Sequence, residues 1–208
     1  MPSRKQQNPV RVATGVMQPF RIRGIPLFVH WSVLFIDVCI AANAYLVNSF
    51  VSSSADWRVA IGCCFSYTVS ITAHEFGHAT VATSVGLKVH AIHLTGGASH
   101  CRTDRPHSVR SAFLLYSGGL LAHLALLSGA ASYLALFGWP RSPAGLCAMY
   151  TFVAVNLVSI AITLVPYRWG RHVSDGRILW RLLMHAVRDV SGPLPVPESN
   201  SQAPPTRK

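Results

Sequence analysis

Apolar residues in this chain fall in long unbroken blocks rather than in the stripes of an amphipathic helix. Four blocks cover residues 26–51, 59–85, 111–138 and 143–166. Roughly 20 mainly apolar residues carry a helix across about 30 Å of hydrocarbon, so each block is long enough to span a bilayer. None contains Lys or Arg, and their only carboxylates are Asp37 and Glu75. Between the blocks the pattern changes. Residues 17–29 alternate in places and carry Gly24 and Pro26, predicting a short strand that leads into the first span. Residues 88–95, bounded by Gly86 and by Gly96 and Gly97, predict a second strand, and the two are expected to pair at the membrane surface. Residues 167–174 mix Gly, Arg and Trp and read as irregular backbone. Residues 177–188 then place Ile178, Leu179, Leu182, Leu183 and Val187 at helical spacing, in a segment too short and too charged to span. The ends, 1–18 and 191–208, are too polar to bury a core and read as disordered tails around one domain over 19–190.

Composition supports the same picture. Half of the 208 residues are hydrophobic and 12% are charged, against about a quarter charged in soluble domains. The expected class is an all-α polytopic membrane protein, with about four transmembrane helices and a small β element at the cytoplasmic face. A net charge of +11 raises the question of nucleic acid, and the placement of the charges answers it. In a four-span topology only Arg58 and Arg141 lie on one side; the remaining Lys and Arg, among them Arg21, Arg23, Lys88, Arg102, Arg105, Arg168 and Arg177, lie on the other. That is the positive-inside pattern, which puts both termini in the cytoplasm. The basicity is topological, no nucleic-acid partner is expected, and the expected location is the cell (inner) membrane of a bacterium. A basic start followed by an apolar run and Ala42-Asn43-Ala44 has some features of a cleaved signal peptide, but the run is too long and begins too late, so a retained span is expected. The five cysteines do not pair evenly and lack metal spacing. Four lie in the blocks and read as ordinary buried thiols.

The second block carries His74-Glu75-Phe76-Gly77-His78. On a helix, residues four apart share a face, so His74 and His78 can aim ring nitrogens at one ion. Glu75 points about 100° around the same turn and can reach a metal-bound water without being a ligand. This is the division of labour that zinc hydrolysis needs. An ionised Glu at that depth costs at least about 2.5–3.5 kcal/mol on insertion scales, which marks it as functional by default. A catalytic zinc takes three protein ligands. Of the remaining carboxylates, Asp37 lies in the first block and Asp56, Asp104, Asp189 and Glu198 in loops or tails. Asp175 follows the fourth block on the side toward which the histidine-bearing block also runs, and topology selects it.

With these residues in place, the chain resembles the site-2 protease family of intramembrane zinc metalloproteases. The resemblance covers about residues 18–185. It rests on Gly24-Ile-Pro-Leu-Phe-Val-His-Trp-Ser32, Ala73-His-Glu-Phe-Gly-His78, Gly96-Gly97, Leu164-Val-Pro166 and Ser174-Asp-Gly-Arg-Ile-Leu179. It implies one Zn²⁺ per chain held by His74, His78 and Asp175, with Glu75 as the catalytic base, and regulated intramembrane proteolysis of transmembrane or membrane-associated protein substrates. The chain departs from the family where an Asn usually stands: Thr163 occupies that place in Thr163-Leu-Val-Pro166, and His123 occupies another after Gly119. The spacing from Pro166 to Asp175 is also longer than usual. Gly119, His123, Thr163 and Pro166 are therefore the candidates for supporting the ligands or contacting substrate.

Other residues carry weaker signals. His123 would otherwise be a histidine bonded between helices, and Asp37 pairs with a polar group or lines a water path. His90, His93, His100 and His107 have spacings that do not converge on one ion, so no second metal is expected. The exposed edge expected for the second strand could pair with an unwound substrate segment. Hydroxyls along the second block, Thr68, Ser70, Thr72, Thr80 and Thr83, ordinarily bond helix carbonyls, and Gly118 with Gly119 allows close helix approach. Two alternatives to a protease stay open: a catalytically silent binding or chaperone module, and a metal transporter. The oligomeric state is not legible.

Overall fold

The computed structural model describes residues 20–51, 56–97, 99–169 and 172–187. The expected tails at 1–18 and 191–208 lie outside the described residues. Four long helices form a bundle: α1 (Trp31–Val51), α2 (Trp57–Ser84), α3 (Val109–Phe137) and α4 (Pro143–Leu164). Their starts are local matters. Asp56 accepts from the Arg58 amide at 2.9 Å, Ser108 and Ser111 cap each other reciprocally at the head of α3, and Ser142 accepts from Gly145 N with Pro143 in the first turn of α4. These are the residue types that satisfy the orphan amides of a first turn.

Helix α2 is the hub, packing against α1, α3 and α4. Its contact with α3 is close because Gly77 and Gly118 face each other. A Cβ on either would overlap the other's backbone. Outward faces are apolar, with Phe35, Val38, Phe50, Leu121, Leu136, Leu157 and Ile162 all exposed, a surface that lipid rather than water would solvate. Among the described residues, α1, α3 and α4 are long and apolar enough to cross a membrane. Helix α2 has 28 residues but dilutes its hydropathy with hydroxyls, two histidines and Glu75. The structure is thus mostly helical, with three such helices and a small sheet.

The sheet has four strands in order β1 (Phe20–Ile22), β2 (Ile25–Val29), β3 (Val89–Leu94) and β4 (His100–Thr103). Arg23 and Gly24 turn β1 into β2, both at positive φ (52° and 84°), as a two-residue hairpin requires. β2 and β3 pair in parallel, with Leu27 opposite Ile92 and Val29 opposite Leu94, and α1 and α2 make the long crossover that a parallel pair needs. The single strand expected over 17–29 is split into β1 and β2 by the turn at Arg23 and Gly24, and β2 makes the expected pairing with β3. Their inner face, Leu27, Ile92 and Leu94, packs with Val33 of α1, Ala79 and Ala82 of α2 and Leu115 of α3, so the sheet sits over the end of α2 that carries the histidines.

Three sequence expectations are corrected and one strand is added. Residues 26–29 belong to β2, and the first helix starts only at Trp31, because His30 and Ser32 bond each other at the junction. Residues 100–103 form β4, which alternation over four residues was too short to reveal. β3 has no free edge, since β2 and β4 flank it; the outer strands are β1 and β4. The stretch 167–174 is not irregular: β5 (Arg168–Trp169) pairs with β6 (His172–Val173) as a hairpin. The Ser174 hydroxyl closes it by donating to Val165 O at 2.8 Å while accepting from Tyr167 N at 3.0 Å. The longer spacing between Pro166 and Asp175 is absorbed by this hairpin. It delivers the chain to α5 (Asp175–Val187), whose Ile178 and Leu182 bury against Ala112 of α3.

Candidate metal centre

His74 and His78 lie one turn apart on α2 with ring planes at 83°. Their Nε2 atoms are 3.2 Å apart. Asp175, the first residue of α5, brings Oδ2 to 3.2 Å from His78 Nε2 and 3.4 Å from His74 Nε2. Among the described residues this is the one group of three potential ligands with atoms mutually within 4.8 Å. The spacing can be tested against an ion. Zinc holds N and O ligands at about 2.0–2.2 Å in a tetrahedron, which separates ligand atoms by about 3.3–3.5 Å. The observed separations of 3.2, 3.2 and 3.4 Å lie within or just below that edge length, and the donor set of two imidazoles and one carboxylate suits zinc.

The opposite side of each ring is also held. His78 Nδ1 donates to Leu115 O of α3 at 2.8 Å. His74 Nδ1 lies 3.2 Å from His123 Nε2, and His123 Nδ1 lies 2.7 Å from Asn156 Oδ1 of α4. Asn156 Nδ2 donates to Ser70 Oγ at 2.9 Å and to Phe152 O at 2.7 Å. His123 is 1% exposed and Asn156 is fully buried, so neither faces an open surface. Glu75 is 2% exposed, and its Oε2 has no hydrogen-bond partner in the protein. A buried carboxylate oxygen without a partner is costly, so its presence calls for a functional explanation.

Backbone fit explains two neighbours. Gly119 lies under the His74 ring, and a Cβ there would overlap the ring atoms. Gly176 lies against the carbonyls of Thr163 and Leu164, so glycine after Asp175 lets the first turn of α5 press against the end of α4. Thr163 is buried and Pro166 is exposed at the entry to the hairpin. Burial alone would raise the Asp175 carboxyl, but His78 and His74 outweigh it and hold the group below the ordinary carboxylate range.

The remaining candidates lie elsewhere. Asp37 of α1 accepts from Thr68 Oγ1 at 3.1 and 3.0 Å. His90 bonds Asp104 at 2.7 Å, which lowers the Asp104 carboxyl. His93 is stacked between Phe28 and His100, each centroid 4.7 Å away. Burial, then the nearby His100 and Arg102, push its ring down to about 4. Cys101 of β4 is pushed up to about 12 by burial and by the charge of Glu75. Thr83 and Ser70 bond helix carbonyls, as membrane hydroxyls ordinarily do. Sequence reasoning missed Asn156 and the partnership of Ser70 with it. The available signal was that Asn156 is the lone side-chain amide in the block 143–166.

No family model and no curated protein matches the chain. Among solved structures it is similar to the site-2 protease from Methanocaldococcus jannaschii, with a TM-score of 0.57 and 22% identity, covering 82% of this chain and 72% of that one. The chain has a site-2 protease-like fold.

Proposed function

We propose that this protein is an intramembrane zinc metallo-endopeptidase that hydrolyses peptide bonds in transmembrane or membrane-associated proteins. The observation that carries the reading is the convergence of His74 Nε2, His78 Nε2 and Asp175 Oδ2 beside a buried Glu75. The same reading makes α2 a fourth span, its polar residues turned inward, with both termini cytoplasmic in a bacterial inner membrane. Gly119 and His123 support His74 in it, and Thr163 and Pro166 lie where the end of α4 leads to α5, with no direct role in bond breaking.

His74, His78 and Asp175 would hold the ion. Zinc, when bound, polarises a scissile carbonyl and makes water acidic enough to serve as a nucleophile near neutral pH. Glu75 takes the proton that the attacking water gives up and returns it to the leaving amine nitrogen. Its burial beside the ligands keeps that proton out of bulk solvent during the exchange. Asp175 and its helix set the third ligand from a different part of the chain, so the centre exists only when α5 is docked on α3 and α4.

The test uses Glu75→Gln, which removes the base and leaves the ligands. Purified variant protein is expected to bind one equivalent of zinc, as wild type does, and to lose hydrolysis by a factor on the order of 10³ or more, in line with general-base losses of about 10²–10⁴. Comparing membranes from cells carrying each form identifies the substrates as proteins that accumulate uncut only with the variant. Identical membrane proteomes, with wild type loaded with zinc, would favour a silent binding module. Zinc flux into proteoliposomes that His74→Ala abolishes would favour a transporter.

A further inference from the structure

Hydrogen-bond polarity behind His74 can be followed from a fixed point. The Phe152 carbonyl only accepts, so the Asn156 atom at 2.7 Å from it is the NH₂ group. Ser70 Oγ donates to the Ser66 carbonyl at 2.7 Å, which leaves it free to accept from that same NH₂ at 2.9 Å. Both neighbours therefore agree on the orientation of the amide, and Asn156 Oδ1 must face His123. An amide oxygen accepts only. His123 Nδ1, at 2.7 Å, must carry its proton, and in a neutral ring Nε2 is then a bare acceptor. His74 Nδ1, at 3.2 Å from that acceptor, must in turn be the donor. The neutral His74 ring then has its lone pair on Nε2, the atom that faces His78 and Asp175.

On this basis we infer that His123, Asn156 and Ser70 are positioning residues that preset both the tautomer and the ring orientation of His74 for a metal ion. The relay leaves α2 at His74, crosses α3 at His123 and α4 at Asn156, and returns to α2 at Ser70, one turn before it began. Ser70, His123 and Asn156 are each no more than 1% exposed, so water does not compete for these bonds. His78 reaches the same end by a shorter route, donating Nδ1–H to the Leu115 carbonyl. One ligand is thus set by a single backbone carbonyl, the other by a side-chain relay anchored on the carbonyls of Phe152 and Ser66. Groups that orient a ligating histidine in this way typically contribute 10–100-fold in metal affinity. The inference rests on the proposed metal centre.

The experiment measures zinc affinity by chelator competition on the full-length protein in detergent, together with the visible spectrum of the cobalt-substituted form. His123→Phe keeps a ring and removes both nitrogens. It is expected to weaken zinc about 10–100-fold and to change the cobalt bands. So that a loss of fold in that variant does not hide the answer, a second pair is read alongside: Asn156→Leu removes the acceptor for His123, whereas Asn156→Asp keeps it and, as the neutral acid favoured by full burial, donates its O–H to the Phe152 carbonyl in place of the amide N–H. Leu is expected to weaken zinc by about tenfold or more, and Asp to recover most of the loss, which a packing effect alone would not do. Nitrogen NMR of the His74 ring is expected to show protonated Nδ1 in the metal-free wild type and a mixture of tautomers in Asn156→Leu. Unchanged zinc affinity and cobalt spectrum in folded His123→Phe, or equal losses in Asn156→Leu and Asn156→Asp, would overturn the relay while leaving the metal centre standing. Wild-type protein that binds no zinc would overturn both.

Discussion

Among the described residues two groups of rings stand out, three histidines in the bundle and two histidines with a phenylalanine on the sheet, and only the first turns its nitrogens toward one point. In the bundle, His74 meets His78 at 83° and His123 at 41°. On the sheet, His93 lies nearly parallel to His100, at 8°, and to Phe28, at 11°. Ring nitrogens bind metals in the plane of the ring. Crossed planes bring in-plane lone pairs to a common point, whereas the near-parallel rings of His93 and His100, with centroids 4.7 Å apart, keep theirs in planes that do not meet near the rings. The difference comes from the backbone beneath. Positions i and i+4 of a helix lie above one another but can rotate about χ1 and χ2, whereas directly paired neighbours across strands stand side by side and stack. Proximity of histidines is therefore a poor indicator of a metal site, and the direction of the nitrogens is a good one.

The widest separation between the clusters should appear in zinc binding. Removing His78 with His78→Ala is expected to weaken zinc about 10²–10³-fold, since about 10–16 kcal/mol for a structural zinc site shared over four ligands is roughly 2.5–4 kcal/mol each. His93→Ala and His100→Ala are expected to leave the affinity unchanged. An unchanged zinc affinity in His78→Ala, measured by chelator competition, would remove the distinction.

A smaller effect separates two glycines. Gly119→Val places a side chain where the His74 ring lies, which should tilt the ring, lower zinc affinity at least tenfold and cost about 1–3 kcal/mol by overpacking. Gly97→Val, at the sheet end where a Cβ meets nothing within 4 Å, should alter neither zinc affinity nor melting temperature. Equal behaviour of the two variants would show that the bundle yields more easily than its close packing implies.

The smallest effect belongs to the stacked histidine. His93 is held down to about 4 in the fold, from an ordinary 6.5, so the unfolded chain takes up a proton before the folded one does. Its contribution to stability is complete above pH 6.5 and is lost as pH falls toward 4. His93→Phe removes the group, and melting temperatures of this variant should fall less steeply over that window than those of wild type. Parallel melting curves for the two proteins would show that the stack does not disfavour the proton.

Legibility in the sequence followed the range of the interactions. The bundle helices were readable because each is a long apolar block, and the His74–Glu75–His78 motif because its members share one or two turns. Asp175 was reachable by counting carboxylates on one side of the membrane. β4 was not readable, because four residues alternate too briefly to register, and neither was the hairpin at 168–173, whose pairing depends on Ser174 gripping Val165 and Tyr167. The free edge expected on β3 failed because strand order is a property of the whole sheet. His123 was legible as a polar residue at a telling place, but not its partner, since His123 and Asn156 come from different helices.

The sequence by itself determined the solvent of this protein, its main helices, and a motif that can hold an ion, because these are set by composition and by contacts within a few residues. The tertiary structure decided how closely Asp175 approaches the two histidines, which glycines make room for them, and which nitrogen of His74 faces that carboxylate. Those depend on atoms brought together from α2, α3, α4 and α5, and no local pattern encodes the angle at which two helices cross.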